Sequence, residues 1–283
     1  MSVNVSPSRV AAARTLPPSI RAEGRLSLVV KRSGSRSAVE RVAEAGPLRV
    51  RFPRITDKDR LEAILINTAG GIVGGDVLQY EIESAEGTSL ALTSQAAEKV
   101  YRSASETARI KVSLKAREGS RLAWLPQETI LFDRVKIRRS LEANIAPGAS
   151  VTICESVVFG RAAMGERVAT GAFEDCWRIV RGGRLVFADT TRLNGKIENL
   201  LGRAAIGGGA SCVATILHVA PDADARCEAA RAALDDSEIE AGVSFFNSML
   251  VVRMLAADSF ALRRGIVSLL HAIGSPPPRA FTL

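Results

Sequence analysis

The chain has 283 residues, 47% of them apolar and 24% charged, which is enough apolar material for a buried core and excludes global disorder. Its formal net charge of +8 is not a nucleic-acid signature. Residues 1–60 hold 13 basic and 5 acidic side chains, whereas the other 223 residues hold 25 of each. No zinc finger, helix-turn-helix or aromatic-interleaved basic run accompanies the basic end, so nucleic acid is not an expected partner. A basic end steers an acidic protein surface just as readily. No stretch approaches the roughly eighteen apolar residues of a membrane span, and the N-terminus lacks the continuous apolar core of a secretory signal. A cytoplasmic protein without a membrane partner is therefore expected. The four cysteines (Cys154, Cys176, Cys212, Cys227) form no CxxC pair and read as buried free thiols.

Residues 1–20 mix Ser, Pro, Arg and Ala without periodicity, and a poorly ordered tail is expected there, ahead of one β domain over residues 21–283. Alternation then begins. Leu26, Leu28 and Val30 share one strand face, and Leu48, Val50 and Phe52 do the same after a turn at Gly46-Pro47. Residues 61–66 (LEAILI) read as a more buried strand that runs into a glycine cluster. A weak repeat follows: GTSLALTSQ at 87–95 is echoed by GSRLAWLPQ at 119–127 and, in part, by GASVTICE at 148–155. An alternating strand precedes each glycine, with Ile110, Val112 and Leu114 before the second and Val135 and Ile137, running toward Leu141 and Ile145, before the third. A strand, a glycine turn and a second strand, repeated about every thirty residues, predict stacked coils or a layered β structure. Trp177 to Val180, Gly182-Gly183 and Leu185 to Phe187 predict a hairpin.

The last third differs. Residues 222–237 are helix-rich by propensity. Residues 248–256 return to a strand containing Arg253. Residues 259–273 place Leu262, Ile266, Leu269, Leu270 and Ile273 at helical spacing, with Ser259 as the candidate N-cap and Gly274 just past the end. The expected fold is mostly β: a stacked or helical arrangement of β-sheets in one domain, with two C-terminal α-helices.

Chemistry is sparse. The cluster Gly70-Gly71-Ile72-Val73-Gly74-Gly75-Asp76 lacks the spacing, lysine and hydroxyl of a phosphate-binding loop, so its glycines read as backbone-turning residues. Residues 93–103 (TSQAAEKVYRS) and 124–132 (WLPQETILF) are polar where strands need only alternate. The first reads either as a surface turn with a Glu98–Arg102 pair or as a polar set facing a channel or partner. Asp76, Glu98, Glu128 and Glu155 lie near repeat-equivalent strand ends and could line one polar passage, whose oxygen ligands suit transfer of a metal better than storage. No tight metal site is expected: His218 and His271 read as structural, and His218 and Cys154 are the residues a weaker site could use. No catalytic motif appears. A β-solenoid polysaccharide hydrolase is one alternative, poorly provided with aromatics for stacking sugars, and a protein-binding module with no metal path is another.

Taken together, the runs at 67–76, 93–103 and 124–132, followed by ESVVFGRAAMGE at 155–166 and WRIVRGGRLVFADTTRLNG at 177–195, resemble one family, the urease accessory protein UreD. The resemblance covers roughly residues 22 to 281, in order. It implies stacked β-sheets of helical type with two helices. It also implies a non-enzymatic maturation factor that docks UreF-type and UreG-type accessory proteins onto urease apoprotein while nickel is inserted. On that reading no cofactor is bound tightly, Ni²⁺ is transient, and GTP is used by a partner. Gln95, Lys99, Tyr101, Arg102, Gln127, Arg161 and Glu166 become the partner-binding candidates. Two positions depart from the family's habit: Glu44 stands where a histidine is frequent, and Phe281 where tryptophan is usual.

Overall fold

The computed structural model describes residues 21–54, 59–161, 164–235 and 238–282, so the expected tail at 1–20 lies outside the described residues. In chain order the elements are β1 (Glu23–Ser33), β2 (Arg36–Ala45), β3 (Leu48–Arg51), β4 (Leu61–Asn67), β5 (Val77–Ser84), β6 (Ser89–Ser94), β7 (Glu98–Val100), β8 (Ala108–Ala116) and β9 (Arg121–Trp124). There follow β10 (Thr129–Leu131), β11 (Val135–Ile145), β12 (Ser150–Phe159), β13 (Gly171–Arg181), β14 (Arg184–Gly195), α1 (Ile197–Leu201) and β15 (Cys212–Val219). The chain closes with α2 (Cys227–Asp235), β16 (Glu240–Phe246), β17 (Met249–Ala256), α3 (Ser259–Ala272) and α4 (Arg279–Thr282).

Two sheets result. The first runs β14-β13-β11-β8-β5-β1-β2, and the second runs β16-β17-β15-β12-β9-β6-β4-β3, with β10 beside β12 and β7 beside β10. From β4 to β13 the chain crosses repeatedly from one sheet to the other, so like strands stack in parallel within each sheet. These crossings are the repeat predicted from sequence. Each turns at the same place: Thr88 N–H donates to Ala85 O, Ser120 to Arg117 O and Ala149 to Ala146 O, at 3.2, 3.0 and 3.0 Å. Gly87 and Gly119 hold φ of +63° and +64° in these turns, a region that costs other residues free energy. Successive turns are laddered by Arg121 N–H to Thr88 O and Ser150 N–H to Ser120 O.

The main core lies between the sheets. Leu26, Leu28 and Val30 of β1, Leu78 and Ile82 of β5 and Leu114 of β8 meet Leu90, Leu92, Leu122 and Ile153 of the second sheet. A second apolar cluster covers the other face of the second sheet, where Cys154, Cys212, Ile216, Leu250 and Met254 pack under Leu234 of α2 and Leu262, Ile266, Leu269 and Leu270 of α3. Burial on both faces explains why CVATILHV and MLVVRMLA read as nearly continuous apolar runs. The N-cap of α3 is Asp258, not Ser259: its carboxylate accepts from Ala261 N–H at 2.9 Å. Gly274 closes that helix with φ of +72°. Strands β2 and β16 and the short α1 and α4 carry no apolar period of their own; β16 is an edge strand with almost every residue exposed.

A chain beginning at Arg21 is expected to fold, and one beginning at Leu61 to be insoluble. The latter loses β1 to β3 and uncovers the inner faces of β5 and β4, at about 25 cal/mol per Å² of apolar surface. Soluble, cooperatively melting protein lacking the first sixty residues, seen by circular dichroism, would contradict this packing.

Candidate functional site

The two polar runs coincide with two breaks in the second sheet. β9 pairs with residues 150–153 of β12, and β10 pairs with residues 157–159 of the same strand, so residues 154–156 have no parallel neighbour. Residues 125–128 lie between those pairings, and Pro126 has no N–H to give a ladder. Residues 95–97 make the adjacent break between β6 and β7. Ser94 ties the two together, its hydroxyl accepting from Gln127 N–H at 2.9 Å and donating to Ala96 O. The inter-sheet space opens there into a cavity of about 230 Å³. Gly70, Gln95 and Lys99 stand exposed at its mouth, and Tyr80, Glu155, Arg139 and Asp175 lie at its depth.

Arg139 dominates the inner end. It is 5% exposed and points inward from β11 in phase with Val135, Ile137 and Leu141. Its Nη1 donates to Glu155 Oε2 at 2.8 Å and to Thr129 Oγ1 at 3.1 Å, and its Nη2 donates to Asp175 Oδ2. The guanidinium stands 5.3 Å from the centre of the Phe173 ring. Trp124 Nε1–H donates to the other Glu155 oxygen at 2.8 Å, and Tyr80 packs edge-on to Trp124. Burial alone would lower the Arg139 pKa, but Asp175 and Glu155 outweigh it and hold the guanidinium charged. Burial pushes Glu155 up against the pull of Arg139, and it pushes the Tyr80 phenol up as well, with the Glu98 and Glu155 charges adding. Arg139 Nε and Gln127 Oε1 are buried without a hydrogen-bond partner, as befits a polar space that water can enter.

Glu98 sits nearer the mouth. Both its oxygens accept from Asn67 Nδ2, at 3.2 and 3.1 Å, and burial raises its carboxyl to about 7 against those bonds. No Glu98–Arg102 pair forms, because residues 98–100 are a strand rather than a helical turn. Among the described residues no group of three His, Cys, Asp or Glu side chains is placed to hold a metal ion. The cavity offers carboxyl oxygens from Glu98, Glu155 and Asp175, a donor type that binds a soft or borderline divalent metal weakly beside imidazole or thiolate.

The cavity therefore takes in Glu98 and Glu155 and leaves out the other two carboxylates expected beside them. Asp76 is spent on backbone, accepting from Ala22 N–H and Val73 N–H at 2.8 Å each, and so ties β1 to the glycine turn. Glu128 pairs with Arg263 of α3, which also donates to Phe281 O. Gln95, Lys99 and Gln127 line the cavity. Gln127 also donates to Ala280 O at 2.9 Å, bracing the second break against α4. Tyr101, Arg102, Arg161 and Glu166 gather elsewhere, around Phe132 on the surface. There Arg161 pairs with Glu166 and lies 4.3 Å over the Phe132 ring, and Tyr101 meets that ring edge-on. Gly71 lets the glycine cluster lie against Tyr101, since a Cβ there would stand 2.4 Å from its ring. Cys154 faces the helices, away from the cavity, and burial pushes its thiol up. His218 bonds Thr152 across two strands at 2.9 Å, and burial lowers it to about 4. Neither sits with the cavity's carboxylates. Sequence reasoning missed Arg139, Asp175, Tyr80 and Asn67.

The sequence pattern of the UreD urease accessory protein family matches residues 22–279. The chain belongs to the UreD family of urease accessory proteins. It is 43% identical to the Azorhizobium caulinodans urease accessory protein UreD over 93% of this chain and 97% of that one. It is 48% identical to urease accessory protein UreD 1 of Methylobacterium radiotolerans over 93% and 91%, and 45% identical to the Xanthobacter autotrophicus protein over 96% and 94%. Glu44 accepts from Val50 N–H at 2.6 Å and pairs with Arg51, joining β2 to β3, and Phe281 is buried against the helices.

Burial of Glu98 carries a sign that can be checked. Its ordinary value is 4.5, so between about pH 4.5 and 7 the folded chain keeps a proton that the unfolded chain has lost. Stability should fall with rising pH across that window. Glu98→Gln is expected to match the parent below pH 4.5 and to exceed it by about 1–3 kcal/mol at pH 8, by urea denaturation. Equal stability at pH 8 would contradict a buried, disfavoured carboxylate.

Proposed function

We propose that this member of a urease-maturation family is a non-enzymatic scaffold that binds urease apoprotein with UreF and UreG accessory proteins, and that Ni²⁺ moves toward the urease active site by way of the cavity between the sheets. The observation that carries this reading is a deep cavity lined by Glu98, Glu155 and Asp175, with no cluster among the described residues able to retain a metal. Carboxylate oxygens bind Ni²⁺ weakly beside imidazole or thiolate, so the cation would enter and leave. The relatives named above are accessory proteins, which supports a role served in a complex rather than catalysis.

Partner contact fits two places. The exposed Gln95 and Lys99 stand at the cavity mouth, so a partner seated there would hand over the metal directly. Tyr101, Arg102, Arg161 and Glu166 form a charged and aromatic surface around Phe132. GTP chemistry belongs to the partner on this reading, since the glycine cluster lacks the lysine and hydroxyl that hold a triphosphate. No helix among the described residues is long and apolar enough to cross a membrane, and the cytoplasm is the compartment this role requires.

Glu98→Gln and Glu155→Gln, each in the full accessory complex, should lower urease activation and the nickel content of urease several-fold while capture of the partners stays unchanged. Nickel analysis and co-purification read this. Activation equal to the parent's in both variants would remove the cavity from the metal's route, and loss of partner capture would make these acids interfacial instead.

A further inference from the structure

We propose that Arg139 is a tethered counter-cation: it holds Glu155 and Asp175 as an occupied pair and competes with a divalent cation for them, so that the metal passes without being kept. This rests on the cavity being the metal's route. Three observations lead to it.

The first is position. The slot that Arg139 fills on β11 is flanked along the strand by buried Ile137 and Leu141, and apolar side chains in place of a buried ion network are often neutral or stabilising. Stability alone is therefore a weak reason for a guanidinium there. The second is the origin of its partners. Asp175 comes from β13 in the same sheet and is directly opposite Arg139 in register, whereas Glu155 comes from β12 in the other sheet. One guanidinium thus gathers acids from both walls, and removing it would leave two carboxyl groups facing one vacated volume. The third is incomplete satisfaction. Arg139 Nε is buried without a partner, so the side chain is held through its two terminal nitrogens and the Phe173 face.

The exchange is simple in charge. With the guanidinium bound, Glu155 and Asp175 are held to its two terminal nitrogens from opposite walls, and they remain placed for a cation. A divalent ion entering from the mouth displaces the monovalent guanidinium from one or both carboxylates. The guanidinium, covalently held nearby, competes for them at high effective concentration and expels the ion. Arg139 acts on the metal only through Glu155 and Asp175.

The test uses the full chain and Ni²⁺ alone, by equilibrium dialysis with metal analysis and by the melting shift that Ni²⁺ produces. R139Q is expected to bind Ni²⁺ at least tenfold more tightly than the parent, to release it more slowly, and to be stabilised by it more. R139K, which keeps the competing charge, should behave as the parent. Should R139Q not fold, D175N against R139Q/D175N makes the same comparison, one acid with and without the guanidinium, and the double variant should bind more tightly. Ni²⁺ affinity unchanged on removing Arg139, while E155Q lowers it, would overturn the counter-cation and leave the route intact. If neither parent nor R139Q binds Ni²⁺, and E98Q and E155Q activate urease normally, the route itself fails and the inference with it.

Discussion

Arg139 occupies a slot that the alternation of β11 reserves for an apolar side chain, and the cost of burying its charge constrains everything around it. An unpaired buried charge is worth several kcal/mol of destabilisation, so the surroundings have to supply acceptors at that one level of the core. They do so from three strands: Asp175 of β13, Glu155 of β12 and Thr129 of β10. Glu155 reaches the guanidinium from a stretch of β12 that has no parallel neighbour.

The stacked coils make such a level possible. Parallel strands in register place equivalent side chains side by side, so Leu78, Ile110, Arg139 and Asp175 form one row and Tyr80, Val112, Leu141 and Trp177 the next. The first row turns from apolar to charged along its length, and the second stays largely apolar. The interior therefore has firm hydrophobic walls and one polar end. On the far side of the second sheet, α2 and α3 cover a separate core, and Arg263 and Gln127 lash the sheet break to the C-terminal residues. A polar cavity held this way is pre-formed, which suits the scaffold role proposed above.

Much of this was legible in the sequence. The repeat of strand, glycine and strand is carried by local turn chemistry and by a period of two, both of which survive without tertiary information, and it predicted the coils. The polar runs stood out correctly, but nothing local says that they leave a sheet. Asp76 and Glu128 were grouped with Glu98 and Glu155 on repeat position alone. Their partners, Ala22 N–H and Arg263, lie 54 and 135 residues away and had no sequence signal. Arg139 and Asp175 did have one. Arg139 falls in phase with Val135, Ile137 and Leu141, and Asp175 with Phe173, Trp177 and Ile179. A charge on the buried phase of two neighbouring strands is a readable mark of an interior polar site, and it was passed over because only the apolar members of each strand were counted. Strands β2 and β16 lie at sheet edges, where solvent relaxes the apolar period.

The central claim is that the space between the sheets, rather than the outer surface, carries the metal. It is tested most directly by filling that space without changing its charge. Ala97 lines the cavity within the first sheet break, where a larger side chain displaces no strand pairing. For Ala97→Trp in the complete accessory complex, urease activation by Ni²⁺ should fall to the level seen without this chain, while partner capture and the melting temperature stay at parental values. Full activation through an occluded cavity would contradict the account.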